Sequence, residues 1–167
     1  GREVVLRPNP GPQEAFLAAP EQEVLYGGAA GGGKSYAMLA DPMRYFDNPN
    51  FNGVLFRKTN DELRELISKS QSLYPKAFPG AKWQEQKSRW TFPSGAQMWL
   101  TYLDRDEDVE RYQGQAFTWI GFDELGHWST PYAWNYMRSR LRSTDPSIPL
   151  SQRASANPGG LGGQWVK

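Results

Sequence analysis

Apolar residues fall into short runs separated by clusters of Gly, Pro, Asn and Asp, and the runs switch between strand-like and helix-like spacing, as in an alternating α/β chain. Val4-Val5-Leu6 is a short apolar piece. The breaker cluster Pro8-Asn9-Pro10-Gly11-Pro12 then releases the chain into Gln13–Ala19, which reads as a helix of one to two turns. Glu23-Val24-Leu25-Tyr26 predicts a short buried strand. A helix is expected to start at Ser35 and run toward Phe46, kinked at Pro42 and ended by Asp47-Asn48-Pro49-Asn50. Gly53–Arg57 predicts a second strand. Thr59 and Glu62 then stand at capping-box spacing, and Leu63, Leu66, Ile67 and Leu73 or Tyr74 share the apolar face of the helix they open. Asp61, Glu62, Arg64, Glu65 and Lys69 turn outward as a solvated face.

From Trp83 to Leu103 the period changes to two. Trp90-Thr91-Phe92 and Ala96–Tyr102, joined across Pro93-Ser94-Gly95, predict a β-hairpin inserted between two βα units. Five of the seven positions from Asp104 to Glu110 are acidic, which suits a solvated turn or helix better than a metal cage. Ala116–Phe122 is a largely apolar strand that ends in Asp123-Glu124. Ser129-Thr130-Pro131 signals a helix start, with Trp134, Met137 and Leu141 as its buried stripe. Arg138, Arg140 and Arg142 near its end complement the helix dipole, and phosphate contact with DNA is the sharper reading of the same residues. Gln152–Ala156 predicts a last strand, followed by the loop Asn157-Pro158-Gly159-Gly160.

Composition narrows the chemistry. A chain of 167 residues suits one domain. With no Cys and a single His127, thiolate metal sites, disulfides and His-cluster chemistry are excluded. No apolar run approaches a membrane span, so a soluble chain without a membrane partner is expected. The net charge of +1 leaves no broad basic face, so any DNA contact is local or built by assembly.

The stretch that carries the chemistry is Gly27–Ser35, GGAAGGGKS, in which Gly28, Gly33, Lys34 and Ser35 match the phosphate-binding spacing G-x-x-x-x-G-K-[ST] between a strand and a helix. Residues without a side chain let backbone N–H groups approach phosphate oxygens, and the following helix points its positive end at them. Gly28, Ala29, Ala30, Gly31, Gly32, Gly33, Lys34, Ser35 and Tyr36 are therefore candidate ATP-binding residues. Lys34 supplies charge toward the β- and γ-phosphates, and Ser35 is a candidate Mg²⁺ ligand. Asp123 is the second candidate metal residue and Glu124 the candidate that polarises the attacking water. Ser155 and Asn157, at a strand's carboxyl end, are placed to sense the γ-phosphate. Gln13 suits an adenine edge, or else simply caps or meets solvent. The Asp-Glu pair points to the P-loop ATPases that use a catalytic glutamate. These are RecA-like, three-layer α/β/α folds with a mainly parallel central sheet. P-loop kinases do not need that glutamate, and a transporter-type Leu-Ser-Gly-Gly-Gln signature is missing at Tyr112-Gln113-Gly114-Gln115.

From Pro10 to Lys167 the chain resembles the ATPase domain of the large terminase subunit of tailed bacteriophages. The resemblance rests on Gly11-Pro12-Gln13, GGAAGGGKS, Leu55-Phe56-Arg57-Lys58-Thr59, Arg111–Gln115, Gly121-Phe122-Asp123-Glu124, Ser155–Gly160 and Gln164–Lys167. It implies a motor that hydrolyses Mg-ATP to move double-stranded DNA into a procapsid, working in the infected cell's cytoplasm. Its partners would be further copies in a ring, a portal protein and a small terminase subunit. By the same resemblance residues 1–22 form the adenine-side segment, with Gln13 as adenine contact, and Ser155, Ala156 and Asn157 form the coupling motif. Arg111 is the candidate catalytic arginine offered to a neighbour's ATP, with Arg57 and Arg138 as rivals. Two departures stand out. Ala29 and Ala30 occupy positions where many relatives carry an arginine, and no residues of the family's C-terminal RNase H-like nuclease are present, so a motor part without cleavage activity is expected. A helicase-like ATPase and a nucleotide-binding scaffold that does not turn over are the alternatives.

Overall fold

The computed structural model describes residues 33–156, together with the backbones of three strands before them: β1 (Glu3–Leu6), β2 (Ala15–Ala18) and β3 (Glu23–Tyr26). β1 and β2 form an antiparallel pair of their own, with Val4 opposite Leu17 and Val5 opposite Phe16. The helix expected over Gln13–Ala19 is thus corrected to a strand. A run this short cannot repay helix nucleation alone, whereas pairing with Val4-Val5-Leu6 satisfies its backbone directly.

The remaining strands are β4 (Asn52–Arg57), β5 (Lys82–Gln84), β6 (Arg89–Thr91), β7 (Gln97–Tyr102), β8 (Trp119–Phe122) and β9 (Ser151–Ser155). With β3 they form a seven-stranded sheet in the order β3-β9-β8-β4-β7-β6-β5. Pairing is parallel from β3 to β7 and antiparallel only across β6 and β5. The molecule is therefore a mixed α/β fold with a mainly parallel sheet. The predicted hairpin is not an insertion. Its second strand, β7, pairs along its full length with β4, so the hairpin and the additional strand β5 extend the main sheet at one edge.

Alternation along the strands sends side chains to two cores. Leu55, Met98, Leu100 and Trp119 pack with Met38 and Leu39 of helix α1 (Gly33–Ala40) and with Leu63, Leu66 and Ile67 of helix α2 (Asn60–Ala77). Val54, Phe56, Ile120 and Phe122 pack on the opposite face with Val109, Ala133 and Met137. The last two belong to helix α3 (Tyr132–Arg138). Every residue of β8 is buried, as a strand covered on both faces requires.

The capping box at Thr59 and Glu62 is present with both of its hydrogen bonds. Of the two candidates for the end of the α2 stripe, Tyr74 is the buried one, and its hydroxyl donates to the Leu39 carbonyl at 2.8 Å. Helix α1 stops at Ala40. Residues Asp41–Tyr45 tighten into a 3-10 helix with Pro42 in its first turn, because a proline in mid-helix removes a donor and crowds the preceding turn. Leu141 also departs from expectation. It lies beyond α3 and pairs with Phe117, held there by hydrogen bonds from Phe117 N to Arg140 O and from Arg142 N to Phe117 O.

A buried ion pair ties the turn after α1 to the sheet. Asp41 Oδ2 accepts from Arg153 Nε of β9 and from Trp119 Nε1 of β8, each at 2.9 Å, and the side chains of Asp41 and Arg153 are 1% and 2% exposed. Gly121 makes room for this arrangement. A methyl group there would run into the Trp119 ring and come within 2.8 Å of Leu55 Cδ1. Asp41 keeps Arg44 Nη2 at 2.8 Å on its other oxygen, so Arg153→Ala removes one of two guanidinium partners and is expected to cost about 1–3 kcal/mol. Urea unfolding measures it. A loss below about 0.5 kcal/mol would show that the pair does not fasten the turn after α1 to β9.

Candidate active site at the carboxyl edge of the sheet

Parallel pairing brings the carboxyl ends of five strands to one edge. Tyr26 lies opposite Ser155, Ala154 opposite Phe122, Phe122 opposite Phe56, and Arg57 opposite Tyr102. Whatever follows these positions is gathered there, and in open α/β sheets that edge is where ligands bind.

Lys34 and Ser35, in the first turn of α1, meet Asp123 and Glu124 at this edge. Ser35 Oγ donates to Asp123 Oδ2 at 2.7 Å, and Lys34 Nζ lies 3.4 Å from Glu124 Oε1. Asp123 is fully buried and its backbone N–H donates to the Phe56 carbonyl at 2.8 Å. Ser155, also fully buried, donates its hydroxyl to Asp123 Oδ1 at 2.5 Å and accepts the Glu124 backbone N–H at 2.9 Å. One serine thus fixes both acidic residues.

Glu124 adopts a left-handed backbone with φ 62° and ψ 61°, uncommon for a residue with a side chain and worth about 1–2 kcal/mol of strain. The turn is held by the Ser155 hydroxyl and by His127 N donating to the Glu124 carbonyl at 2.9 Å. Such conformations persist where the surroundings enforce them, commonly at working sites.

Arg57, at the carboxyl end of β4, brings a second cation. Its Nη1 is 2.9 Å from Asp123 Oδ2 and 3.4 Å from Ser35 Oγ, and its Nη2 is 3.4 Å from Glu62 Oε2. The guanidinium therefore lies inside its own chain's site and is buried, which removes Arg57 as a rival for the arginine offered to a neighbour. His127 Nδ1 lies 3.1 Å from the same Glu62 oxygen. Burial pushes the Glu62 carboxyl up, but Arg57, His127 and the Thr59 hydrogen bonds together hold it below the usual carboxylate range.

Of the other residues singled out in the sequence, Gly33 begins α1 and Tyr36 is partly exposed on it. Ala156 is buried just after β9. Arg111 is exposed at the same edge, its Nη2 donating to the Tyr102 carbonyl at 2.9 Å and its guanidinium stacked on Tyr112. Arg138 is exposed on α3 with Nε 3.3 Å from Gln152 Oε1. Gln13, Gly28, Ala29, Ala30, Gly31, Gly32 and Asn157 lie outside the described residues.

Local sequence does not bring out Glu62 and His127. One is spent in the capping box and the other is a solitary histidine. The signal for Arg57 was its place as the last residue of a parallel strand, on the edge where Asp123 also ends.

The donor set suits a magnesium nucleotide. A hydroxyl and a carboxylate side by side are hard oxygen donors of the kind Mg²⁺ takes. The Lys34 ammonium, 1% exposed, has Glu124 Oε1 at 3.4 Å and makes no hydrogen bond among the described residues, which leaves its donors open to a phosphate. No group of three or more His, Asp or Glu residues placed to hold a metal occurs among the described residues, those of the acidic run Asp104–Glu110 included. It forms most of a 3-10 helix, Asp106–Tyr112. No helix among them is long and apolar enough to cross a membrane.

Solved structures share this fold. The N-terminal domain of the DNA packaging ATPase from bacteriophage phi29 is 19% identical, with a TM-score of 0.58 over 81% of this chain and 72% of that one. The large terminase of a thermophilic bacteriophage is 17% identical, with a TM-score of 0.62 over 82% of this chain, which spans 34% of its length. The large terminase ATPase domain of Thermus phage P74-26 is 13% identical, with a TM-score of 0.53 over 84% of this chain and 61% of that one. No curated protein sequence matches the chain. Residues 25–152 match the family described as terminase large subunit, T4likevirus-type, N-terminal, and the chain belongs to that family.

Proposed function

We propose that this chain is the ATPase motor domain of a packaging terminase, one folded domain over residues 1–167 that hydrolyses Mg-ATP and couples the reaction to movement of double-stranded DNA. The observation that carries the reading is the meeting of Lys34 and Ser35 with Asp123 and Glu124 at one sheet edge. In it, Lys34 binds the β- and γ-phosphates, and Gly28–Gly33 supply backbone donors around them. Ser35 and Asp123 hold Mg²⁺, which when bound neutralises charge on the phosphates. Glu124 orients the attacking water and accepts its proton, and Ser155, bonded to both acidic residues, keeps the pair in register. Gln13 sits on the adenine side, and Ser155, Ala156 and Asn157 pass the state of the site toward the DNA-moving surface.

Family membership supports a ring of copies working with a portal protein and a small terminase subunit in the host cytoplasm. The test is ATP turnover against protein concentration, with and without duplex DNA. Turnover per chain is expected to rise with concentration and further with DNA. Tight Mg-ATP binding with no turnover under any of these conditions would instead make the chain a nucleotide-binding scaffold.

A further inference from the structure

Arg57 occupies the oxygens that the proposed site assigns to the metal. One nitrogen, Nη1, lies against both Asp123 Oδ2 and Ser35 Oγ, at 2.9 and 3.4 Å. A guanidinium cannot shed its charge in a protein, so a divalent ion arriving at those oxygens meets a fixed positive charge already there. The alternative seat for that charge is close by. Glu62 Oε2 lies 3.4 Å from Arg57 Nη2, and the carboxylate is anchored because its other oxygen accepts the Thr59 backbone N–H at 3.1 Å. Arg57 Nε is buried without a hydrogen-bond partner among the described residues, so the guanidinium is incompletely satisfied where it lies.

We propose that Arg57 is a positioning residue that guards the cation-binding oxygens, sharing Asp123 and Ser35 with the divalent cation and yielding them by moving its charge onto Glu62. The inference rests on the magnesium-nucleotide reading of the site. It predicts opposite signs for two substitutions. Arg57→Gln removes the competing charge beside Asp123 and tightens cation binding. Glu62→Gln removes the seat that draws the charge away and weakens it, while a glutamine still closes the capping box and preserves α2. A purely structural role for the network would weaken binding in both.

The experiment titrates Mn²⁺ into the 167-residue chain in the presence of a saturating non-hydrolysable ATP analogue, following free Mn²⁺ by electron paramagnetic resonance. The midpoint is expected to fall roughly tenfold in Arg57→Gln and to rise severalfold in Glu62→Gln, as expected for one unit charge a few ångströms from the ion. Arg57→Lys keeps the charge but loses the planar fork that spans the two seats, so its midpoint should lie between wild type and Arg57→Gln. It carries the test if Arg57→Gln does not fold. Weakening or no change in the Arg57 variants, or tightening in Glu62→Gln, overturns the proposal. If the wild-type chain binds the analogue with Mn²⁺ normally, that failure leaves the site reading intact. If the wild type binds neither analogue nor Mn²⁺, the site reading falls and this inference with it.

Discussion

Glu124→Gln is expected to lower ATP turnover by about 10²- to 10⁴-fold while leaving Mg-ATP binding in place, because a glutamine fills the same space but cannot take a proton from water. The structure adds a refinement. Glu124 Oε1 is 3.4 Å from Lys34 Nζ, so the charged carboxylate competes with a phosphate for the lysine. Neutralising it should leave nucleotide affinity unchanged or raise it. The strained backbone of Glu124 is held through its N–H and its carbonyl, neither of which the substitution touches, so the fold is expected to stand. Equilibrium binding of a fluorescent ATP analogue, set beside steady-state phosphate release, separates the two effects. Turnover within threefold of wild type would remove Glu124 from the chemistry.

The second large effect concerns Arg111. Its guanidinium is exposed at the carboxyl edge of the sheet, supported on Tyr112 and tethered to the Tyr102 carbonyl, and so it is presented to solvent. An arginine supplied across an interface adds charge to the transition state and is worth about 10³ to 10⁵ in rate. Arg111→Ala should therefore cost that much under assembling conditions and little in a dilute chain that is already slow. Mixing provides the decisive measurement. Lys34→Ala chains lack a working site but still offer Arg111, whereas Arg111→Ala chains keep the site and lack the arginine. Each alone should be inactive, and the mixture should recover activity at the interfaces where a Lys34→Ala chain faces an Arg111→Ala site. An inactive mixture would mean that Arg111 does not act across an interface. Arg138, exposed on α3, is then the remaining rival.

Much of the architecture was legible because it follows from local rules. β4, β8 and α2 could be drawn from apolar runs, from Thr59 and Glu62 at capping spacing, and from the Asp-Glu pair that ends Gly121-Phe122. The errors have a common cause. Ala15–Ala18 carries no period long enough to decide between helix and strand, and its pairing with β1 decided it. The stretch Gln97–Tyr102 has the alternation of a hairpin strand, yet which neighbour lies on its far side is a long-range matter, and it proved to be β4. Leu141 fits a helical stripe, but backbone hydrogen bonds with Phe117 draw it out of the helix.

The amino-acid sequence alone determined the chemistry on offer: a glycine loop ending in Lys34 and Ser35, an acidic pair after an apolar strand, and no cysteine or histidine cluster to compete with them. Those features depend on residue type and near-neighbour spacing, which one dimension records in full. Only the tertiary structure decided who meets whom. It put Arg57 into its own chain's site, joined it through Glu62 to His127, forced Glu124 into a left-handed turn, and buried Arg153 against Asp41 behind the first helix. The physical reason is that a charge gains a partner across parallel strands only once sheet order and register are set, and those come from packing two apolar cores against opposite faces of one sheet.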